Sequence, residues 1–210
     1  MTAVLLIRHG DNDQVGKKLA GRTPGVHLNE KGRQQAQALV GMLADLPLQA
    51  IYSSPMERAL ETAAPLAAAR GLEVQPRPAI LEVDYGRWQG KSFKQLKRYN
   101  LWKTVMSAPA EVRFPDGETL AEVQTRACAE IAALASQYGD TDVVACFSHG
   151  DVIRLLLAKY MKIQLNDYQR LMIQTGSISM LYLSGEHAMI AHVNLVDRLE
   201  WKPPQHQKKK

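Results

Sequence analysis

The stretch VVACFSHG, residues 143–150, decides the fold. Its first five residues are an uninterrupted apolar run, which is typical of a strand buried on both faces of a parallel sheet. The run ends in Ser-His-Gly and leads into a helical pattern over residues 152–160. The same order occurs near the N-terminus, where the apolar run 4–7 ends in Arg-His-Gly at residues 8–10. Two such strands, each ending in polar side chains, predict a mostly parallel sheet.

Local signals around these strands predict alternating helices and strands. Candidate helix N-caps are Asn29, Thr119 with Glu122, and Ser54, which Pro55 and Glu57 would complete as a capping box. Short strands are expected at residues 50–52 and from Val74, and an antiparallel hairpin at residues 178–193. The predicted fold class is a three-layer α/β sandwich with a mostly parallel central sheet and helices on both faces.

The segment from Leu81 to Asp116 has poor periodicity, so we expect an irregular or helical insertion over the C-terminal edge of the strands. Its part at about 85–116 would suit a lid. Its aromatic residues Trp88, Phe93 and Trp102 favour core packing over a substrate wall. We expect a single domain at 1–203 and a basic disordered tail at 204–210.

Composition narrows the class of protein. Hydrophobic residues make up 46% and charged residues 22%, which is typical of a soluble globular chain. The net charge of +5 includes the terminal Lys208–Lys210 run, and aromatic residues are only 6%, so nucleic-acid binding is disfavoured. Cys128 and Cys146 support neither a disulfide framework nor a metal site, and both are expected to be buried thiols. We expect a cytoplasmic protein with no membrane partner. A homo-oligomer is compatible with the sequence.

The ends of the two strands predict a ligand site. In open α/β sheets, ligands bind beyond the carboxyl ends of the strands, which places His9 and His149 at one crevice. Arg8 and Arg58 would add guanidinium groups, whose paired donors match phosphate oxygens. We expect Gly10 and its counterpart after His149 to allow sharp turns and close approach of a ligand. His27, His187, His192 and His206 are expected to be surface or packing residues.

Five motifs occur in an order that resembles the histidine phosphatase superfamily, also called the phosphoglycerate mutase-like family. They are LIRHG at 6–10, SSPMERALETA at 53–63, LEVDYGRWQG at 81–90, FPDGET at 114–119 and FSHGDVIR at 147–154. The resemblance extends from Leu5 to about Leu183. Because five separate motifs keep their order, the match is far more specific than Arg-His-Gly alone.

The resemblance implies a catalytic set. His9 would be the nucleophile that forms a phosphohistidine, while Arg8, Arg58 and His149 would hold the phosphoryl oxygens. Glu82 matches the family's usual proton donor. Asp84 competes for that role, and we expect only one of the two to face the site.

The resemblance also implies substrate-binding positions, at Arg8, Arg58, His149, Gly150, Asn12 and Arg22. Here the chain departs from the family pattern. Val15 stands where an asparagine usually contacts phosphate, and Asn12 could partly replace it. Thr175 or Gly176 stands where another asparagine often precedes the final strand.

These observations favour a phosphomonoesterase that hydrolyses a small phosphorylated metabolite without a cofactor or metal. The alternatives are a phosphoglycerate mutase-type phosphomutase, which would use the same phosphohistidine, and a non-catalytic sensor of a phosphate ligand. The absence of the longer insertion expected of true mutases places the mutase second. The sensor ranks below both because all five charged or nucleophilic residues of the set are present. The substrate itself cannot be read from the sequence.

Overall fold

A computed structural model describes residues 1–185 and 187–197. Its six strands form one sheet in the order β3-β2-β4-β1-β5-β6. The strands are β1 (Thr2–Arg8), β2 (Leu48–Ser53), β3 (Val74–Pro76), β4 (Val143–Ser148), β5 (Ile178–Ser184) and β6 (His187–Leu195). The first four are mutually parallel, while β5 is antiparallel to β1 and β6 is antiparallel to β5. The sheet is therefore mostly parallel, as the apolar runs predicted.

The six α-helices of the described residues are α1 (Glu30–Met42), α2 (Glu57–Arg70), α3 (Phe93–Leu96), α4 (Asn100–Ser107), α5 (Leu120–Ala135) and α6 (Gly150–Tyr160). Residues of α1 and α2 pack on one face of the sheet, while α5, α6 and the segment around residues 80–114 pack on the other. Successive residues of β1 and β4 belong alternately to these two cores. Burial on both faces explains why these strands are continuously apolar.

Helix caps follow the sequence in two cases and depart from it in one. Asn29 accepts a hydrogen bond from the Gly32 N–H, and Thr119 and Glu122 form the capping box of α5. The predicted cap at Ser54 is wrong, because α2 begins at Glu57 and Met56 occupies the N-cap position. The Ser54 hydroxyl instead contacts His149, which lies 95 positions further along the chain.

Residues 81–116 contain α3, α4 and short 3₁₀ turns. The buried Trp88 ring contacts Trp102 at a centroid distance of 6.2 Å, and Phe93 and Trp102 are 6.0 Å apart. The aromatic residues therefore pack with the core, and Phe93 also lines the cavity described below. No helix in the described residues is long and apolar enough to cross a membrane.

Candidate active site

A cavity of about 160 Å³ opens at the carboxyl ends of β1 and β4. Its walls come from the end of β1, the loop that follows, the start of α2, residues 82–85, and the starts of α3 and α6. The side chains that matter below are Arg8, His9, Asn12, Gln14, Val15, Lys18, Arg58, Glu82, Tyr85, Phe93, Asp151 and Arg154, together with Gly150. Ligands of open α/β sheets bind at this edge, beyond the carboxyl ends of the strands.

His9 stands at the centre of this edge. The last residues of β1 and β4 are paired, Arg8 with Ser148, and the His9 N–H donates to the Ser148 carbonyl at 2.9 Å. The His9 Nδ1 lies 2.8 Å from the Gly10 carbonyl oxygen, which can only accept a hydrogen bond, so Nδ1 carries the proton. The Nε2 lone pair is then available to a ligand. Burial, reinforced by the charges of Arg58 and Arg8, holds the pKa of His9 well below its usual value and keeps the ring neutral.

His149 lies directly behind the lining residues and is completely buried. Its ring centroid is 5.3 Å from that of His9. Arg58 donates to its Nδ1 at 3.2 Å, so the proton is on Nε2, which donates to the Ser54 hydroxyl at 2.7 Å. Burial and the Arg58 charge also lower the pKa of His149 well below its usual value. Both ring nitrogens of His149 are thus occupied by protein groups.

The two arginines bring charge and unused donors into the cavity. Arg58 is only 1% exposed, and its terminal NH2 donates to the Gly21 carbonyl at 2.8 Å. Arg8 donates from NH1 to the Ile173 carbonyl at 2.6 Å. Three buried nitrogens, Arg8 Nε and Arg58 Nε and NH1, have no hydrogen-bond partner among residues 1–185 and 187–197. Burial lowers the pKa of both side chains, but guanidinium groups stay charged in proteins. Leaving such donors unpaired is costly, which indicates a site for an anion.

Glu82 faces this cavity and Asp84 does not. A Glu82 carboxylate oxygen lies 4.0 Å from His149 Nδ1, and the other accepts from the Val83 N–H at 3.0 Å. Burial, with the nearby charge of Asp151, raises the pKa of Glu82 to about 7. Residues two apart on a strand would share a face, so strand alternation does not separate the two carboxylates. Instead the chain turns at Asp84, whose carboxylate accepts from the Gly86 N–H at 2.9 Å.

The predicted binding residues divide into two groups. Arg8, Arg58, Asn12 and Gly150 line the cavity, whereas His149 and Arg22 do not. The Arg22 guanidinium group instead donates to the Glu118 carboxylate and to the Glu82 main-chain carbonyl. Thr175 and Gly176 are not lining residues either. The carbonyl and hydroxyl of Thr175 accept from the Gln35 side chain, and the Gly176 N–H donates to the carbonyls of Arg8 and His9.

The glycines after the two histidines lie against other protein groups, and Gly150 also lines the cavity. Neither glycine has a positive φ. A Cβ at Gly10 would lie 2.6 Å from the Gly32 carbonyl oxygen, so the loop and α1 meet backbone to backbone. A Cβ at Gly150 would lie 3.2 Å from the Arg8 guanidinium carbon. The second glycine therefore makes room for the side chain of Arg8.

Sequence reasoning missed several lining residues. Tyr85 donates from its hydroxyl to an Asp151 carboxylate oxygen at 2.5 Å, and Arg154 donates to the other at 2.8 Å. Gln14 brings an amide oxygen without a partner in the described part of the chain. One signal was available, because Asp151 and Arg154 lie three residues apart at the start of α6 and so share a helix face with each other. Gln14 and Tyr85 carried no comparable signal.

The described titratable groups outside the cavity include two cysteines and several histidines. In the described residues, no three His, Cys, Asp or Glu side chains form a group that could hold a metal ion. Cys146 is buried but Cys128 is only partly so, which modifies the expectation of two buried thiols. Burial raises the pKa of Cys146 to about 12 and that of Cys128 to about 11. His27 pairs with Glu61 at the surface, and His187 is exposed. His192 is partly buried, while His206 and the tail predicted at 204–210 lie outside the described residues.

Comparison with known proteins agrees with this geometry. The family model described as histidine phosphatase superfamily (branch 1) matches residues 4–196. The chain is 27% identical over 204 residues to "Phosphoserine phosphatase 1" of Hydrogenobacter thermophilus, covering 95% of each protein. It superposes on YhfR of Bacillus stearothermophilus with a TM-score of 0.86 at 26% identity, covering 92% of this chain and 97% of the other. A mycobacterial glucosyl-3-phosphoglycerate phosphatase, solved as a complex with VO3, gives a TM-score of 0.82 at 26% identity, covering 91% and 98%.

The match to the family model spans nearly the whole described chain and includes all five motifs. The relatives reported above include two that are named as phosphatases. The chain therefore belongs to branch 1 of the histidine phosphatase superfamily.

Proposed function

We propose that this protein is a phosphomonoesterase that hydrolyses a small phosphorylated metabolite through a phosphohistidine on His9. The observation that carries the proposal is the set of unpartnered, buried guanidinium nitrogens of Arg8 and Arg58 beside the neutral His9 ring. A phosphate monoester offers these donors the oxygens they lack, and the guanidinium charges oppose its negative charge.

In the first step, His9 Nε2 attacks phosphorus and the bond from phosphorus to the leaving oxygen breaks. Glu82 transfers its proton to that oxygen, so that an alcohol departs and the phosphoryl group stays on His9. A carboxyl group with a pKa of about 7 is still protonated over much of the neutral range, as this step requires. Arg8 and Arg58 stabilise the charge on the phosphoryl oxygens in the transition state.

In the second step, the Glu82 carboxylate takes a proton from water, whose oxygen attacks phosphorus and displaces His9. The products are inorganic phosphate and a neutral imidazole, with the proton back on Glu82. One residue can act first as acid and then as base because its pKa is close to the working pH. We also propose that the two arginines supply the positive charge that a metal ion provides in other phosphatases, so that no metal is required.

Smaller roles follow from the lining residues. The Asn12 Oδ1 accepts from the Gln14 N–H at 3.0 Å, so its amide NH2 is the end suited to a phosphate oxygen. Val15 has no polar group to offer, and Gln14, whose amide oxygen has no partner among the described residues, lies next to it. Lys18, Arg154 and the apolar ring of Phe93, which also line the cavity, would meet the part of the substrate beyond the phosphate.

The test is to trap the intermediate. Enzyme mixed with ³²P-labelled substrate and quenched in alkali should retain alkali-stable label on His9, and turnover should be unchanged in EDTA. His9→Ala should lose both the label and turnover, while His27→Ala, which removes an exposed histidine paired with Glu61, should lose neither. Turnover by His9→Ala would overturn the mechanism. Transfer of the label to a bound acceptor in preference to water would identify a mutase instead.

A further inference from the structure

The proton donor of the proposed mechanism is carried by a segment without regular strand structure, yet two arginines hold its main chain. The carbonyl oxygen of Glu82 accepts from Arg22 Nε at 2.8 Å and from Arg126 NH2 at 3.2 Å. Arg126 also donates from NH1 to the Ala79 carbonyl at 2.7 Å. Arg22 comes from the loop after β1 and Arg126 from α5. The segment that carries Glu82 is therefore held from two sides.

Glu118 joins these two arginines. Its carboxylate accepts from Arg22 NH2 at 2.8 Å, from Arg126 Nε and NH2 at 2.8 and 3.0 Å, and from the Asp84 N–H at 3.0 Å. The side chains of Arg22, Glu118 and Arg126 are 26%, 22% and 21% exposed, so the network is mostly shielded from water. We name these three residues the clamp. In the clamp, two arginines donate to the Glu82 carbonyl oxygen, and the Glu118 carboxylate binds both arginines.

The FPDGET turn, residues 114–119, explains how Glu118 reaches this place. The Glu118 N–H donates to the Asp84 carbonyl at 2.9 Å. A Cβ at Gly117 would lie 2.2 Å from that same carbonyl oxygen, and a Cβ at Gly86 would lie 2.0 Å from the Pro115 carbonyl oxygen. The turn and the LEVDYG segment thus meet main chain to main chain. No residue of the turn lines the cavity, so its contribution to the site is indirect.

We propose that Arg22, Glu118 and Arg126 are positioning residues that fix the proton donor Glu82 through its main-chain carbonyl. The inference rests on the proposed function, in which Glu82 protonates the leaving oxygen. None of the three lines the cavity, so they act without touching substrate. The carboxyl group itself has a local contact, from the Val83 N–H, which moves with the segment. The clamp is what ties that segment to the loop after β1 and to α5.

The test uses two substrates that differ in their need for a proton. Nitrophenolate leaves p-nitrophenyl phosphate with little protonation, whereas the benzylic oxygen of 4-nitrobenzyl phosphate requires it. In Glu82→Gln, kcat/KM should fall about 100-fold more for the benzyl ester than for the phenyl ester, within the usual range for general acid catalysis. In Arg126→Gln and Arg22→Gln, kcat/KM should also fall more for the benzyl ester than for the phenyl ester, but only by about tenfold. A displaced Glu82 would keep part of its effect as proton donor.

Arg70→Gln is the matched control. Arg70 also donates to main-chain carbonyls, those of Leu43, Ala44 and Leu46, but it lies away from Glu82. The Arg70→Gln substitution should lower thermal stability and change kcat/KM equally for the benzyl and phenyl esters. Equal loss on both esters in Arg126→Gln and Arg22→Gln, beside selective loss in Glu82→Gln, would overturn the clamp alone. Equal loss on both esters in Glu82→Gln would remove Glu82 as the proton donor, and the clamp's proposed role with it.

Discussion

His9 and His149 end neighbouring parallel strands, and each is followed by glycine, but their surroundings differ. His9 donates from Nδ1 to the Gly10 carbonyl, and its Nε2 is available in the cavity. His149 uses both, one with Arg58 and one with Ser54, and does not line the cavity. The same His-Gly pair after a strand therefore gives one histidine with an available lone pair and one with both ring nitrogens bonded.

This difference separates the role of a nucleophile from that of a support. A nucleophile needs an unshared electron pair in the cavity, whereas a residue that holds Arg58 needs fixed partners. Both rings are kept neutral by burial and by the same arginines, so charge does not distinguish them. Hydrogen-bond partners do, and these lie 91 and 95 positions away from His149 in the sequence.

The strongest test of the difference between His9 and His149 is the same substitution at both positions. His9→Gln should form no phosphoenzyme and lose roughly 10⁴-fold or more in kcat/KM, because no nucleophile remains. His149→Gln should still form labelled phosphoenzyme. Its kcat/KM should fall about 10²- to 10³-fold, because Arg58 would be held less firmly and would stabilise the transition-state charge less well. Quenched labelling and steady-state kinetics measure both effects. Label on the His9→Gln variant, and none on His149→Gln, would reverse the roles.

The two glycines give the second test. Gly10→Ala should lower the free energy of unfolding by about 1–3 kcal/mol, because its Cβ would meet the main chain at Gly32. Gly150→Ala should lower the free energy of unfolding by less than about 1 kcal/mol, because its Cβ would meet the flexible side chain of Arg8. Its kcat/KM should nevertheless fall about tenfold as Arg8 shifts. Urea denaturation and kinetics on both variants check this, and equal destabilisation by the two would contradict it.

The smallest effect concerns pH. Neither histidine should titrate near neutrality, so the basic limb of kcat/KM should belong to Glu82, whose pKa is raised to about 7. Its proton is present below that pH and lost above it, so activity on 4-nitrobenzyl phosphate should fall up to about tenfold per pH unit above 7. Asp151→Asn removes a charge that raises this pKa, so the limb should move to lower pH. A limb that persists in Glu82→Gln would mean that a group other than Glu82 controls it.

The parts of the fold that sequence could predict are those governed by local pattern. The runs at 4–7 and 143–147 are apolar because their strands are buried on both faces, and Asn29 and Thr119 cap helices through partners three residues away. Ser54 shows the limit. It satisfies every local rule for a cap, yet its hydroxyl is a partner of His149.

The site follows the same division. The topology of parallel strands was enough to bring His9 and His149 together, and the motifs placed Arg8, Arg58 and Glu82 beside them. Arg22 was expected to face substrate, but a carboxylate 96 positions away binds its guanidinium group. The contact of Tyr85 with Asp151 spans 66 positions. Side-chain direction in such cases depends on a partner that no local pattern reveals.

The position of β1 in the sheet has a consequence for synthesis of the chain. Of the strands described above, β1 comes first along the chain, but its two neighbours in the sheet are β4 and β5, and Thr2 pairs with Leu183. Until those strands emerge, both edges of β1 have unpaired main-chain groups, and His9 has no sheet to hold it. The strand that precedes His9 is therefore fully paired only once β5 (Ile178–Ser184) has been made, and a high share of distant contacts slows such folding. A nascent chain that stops before residue 178 would contain every residue of the proposed catalytic set, but one edge of β1 would still lack its partner β5.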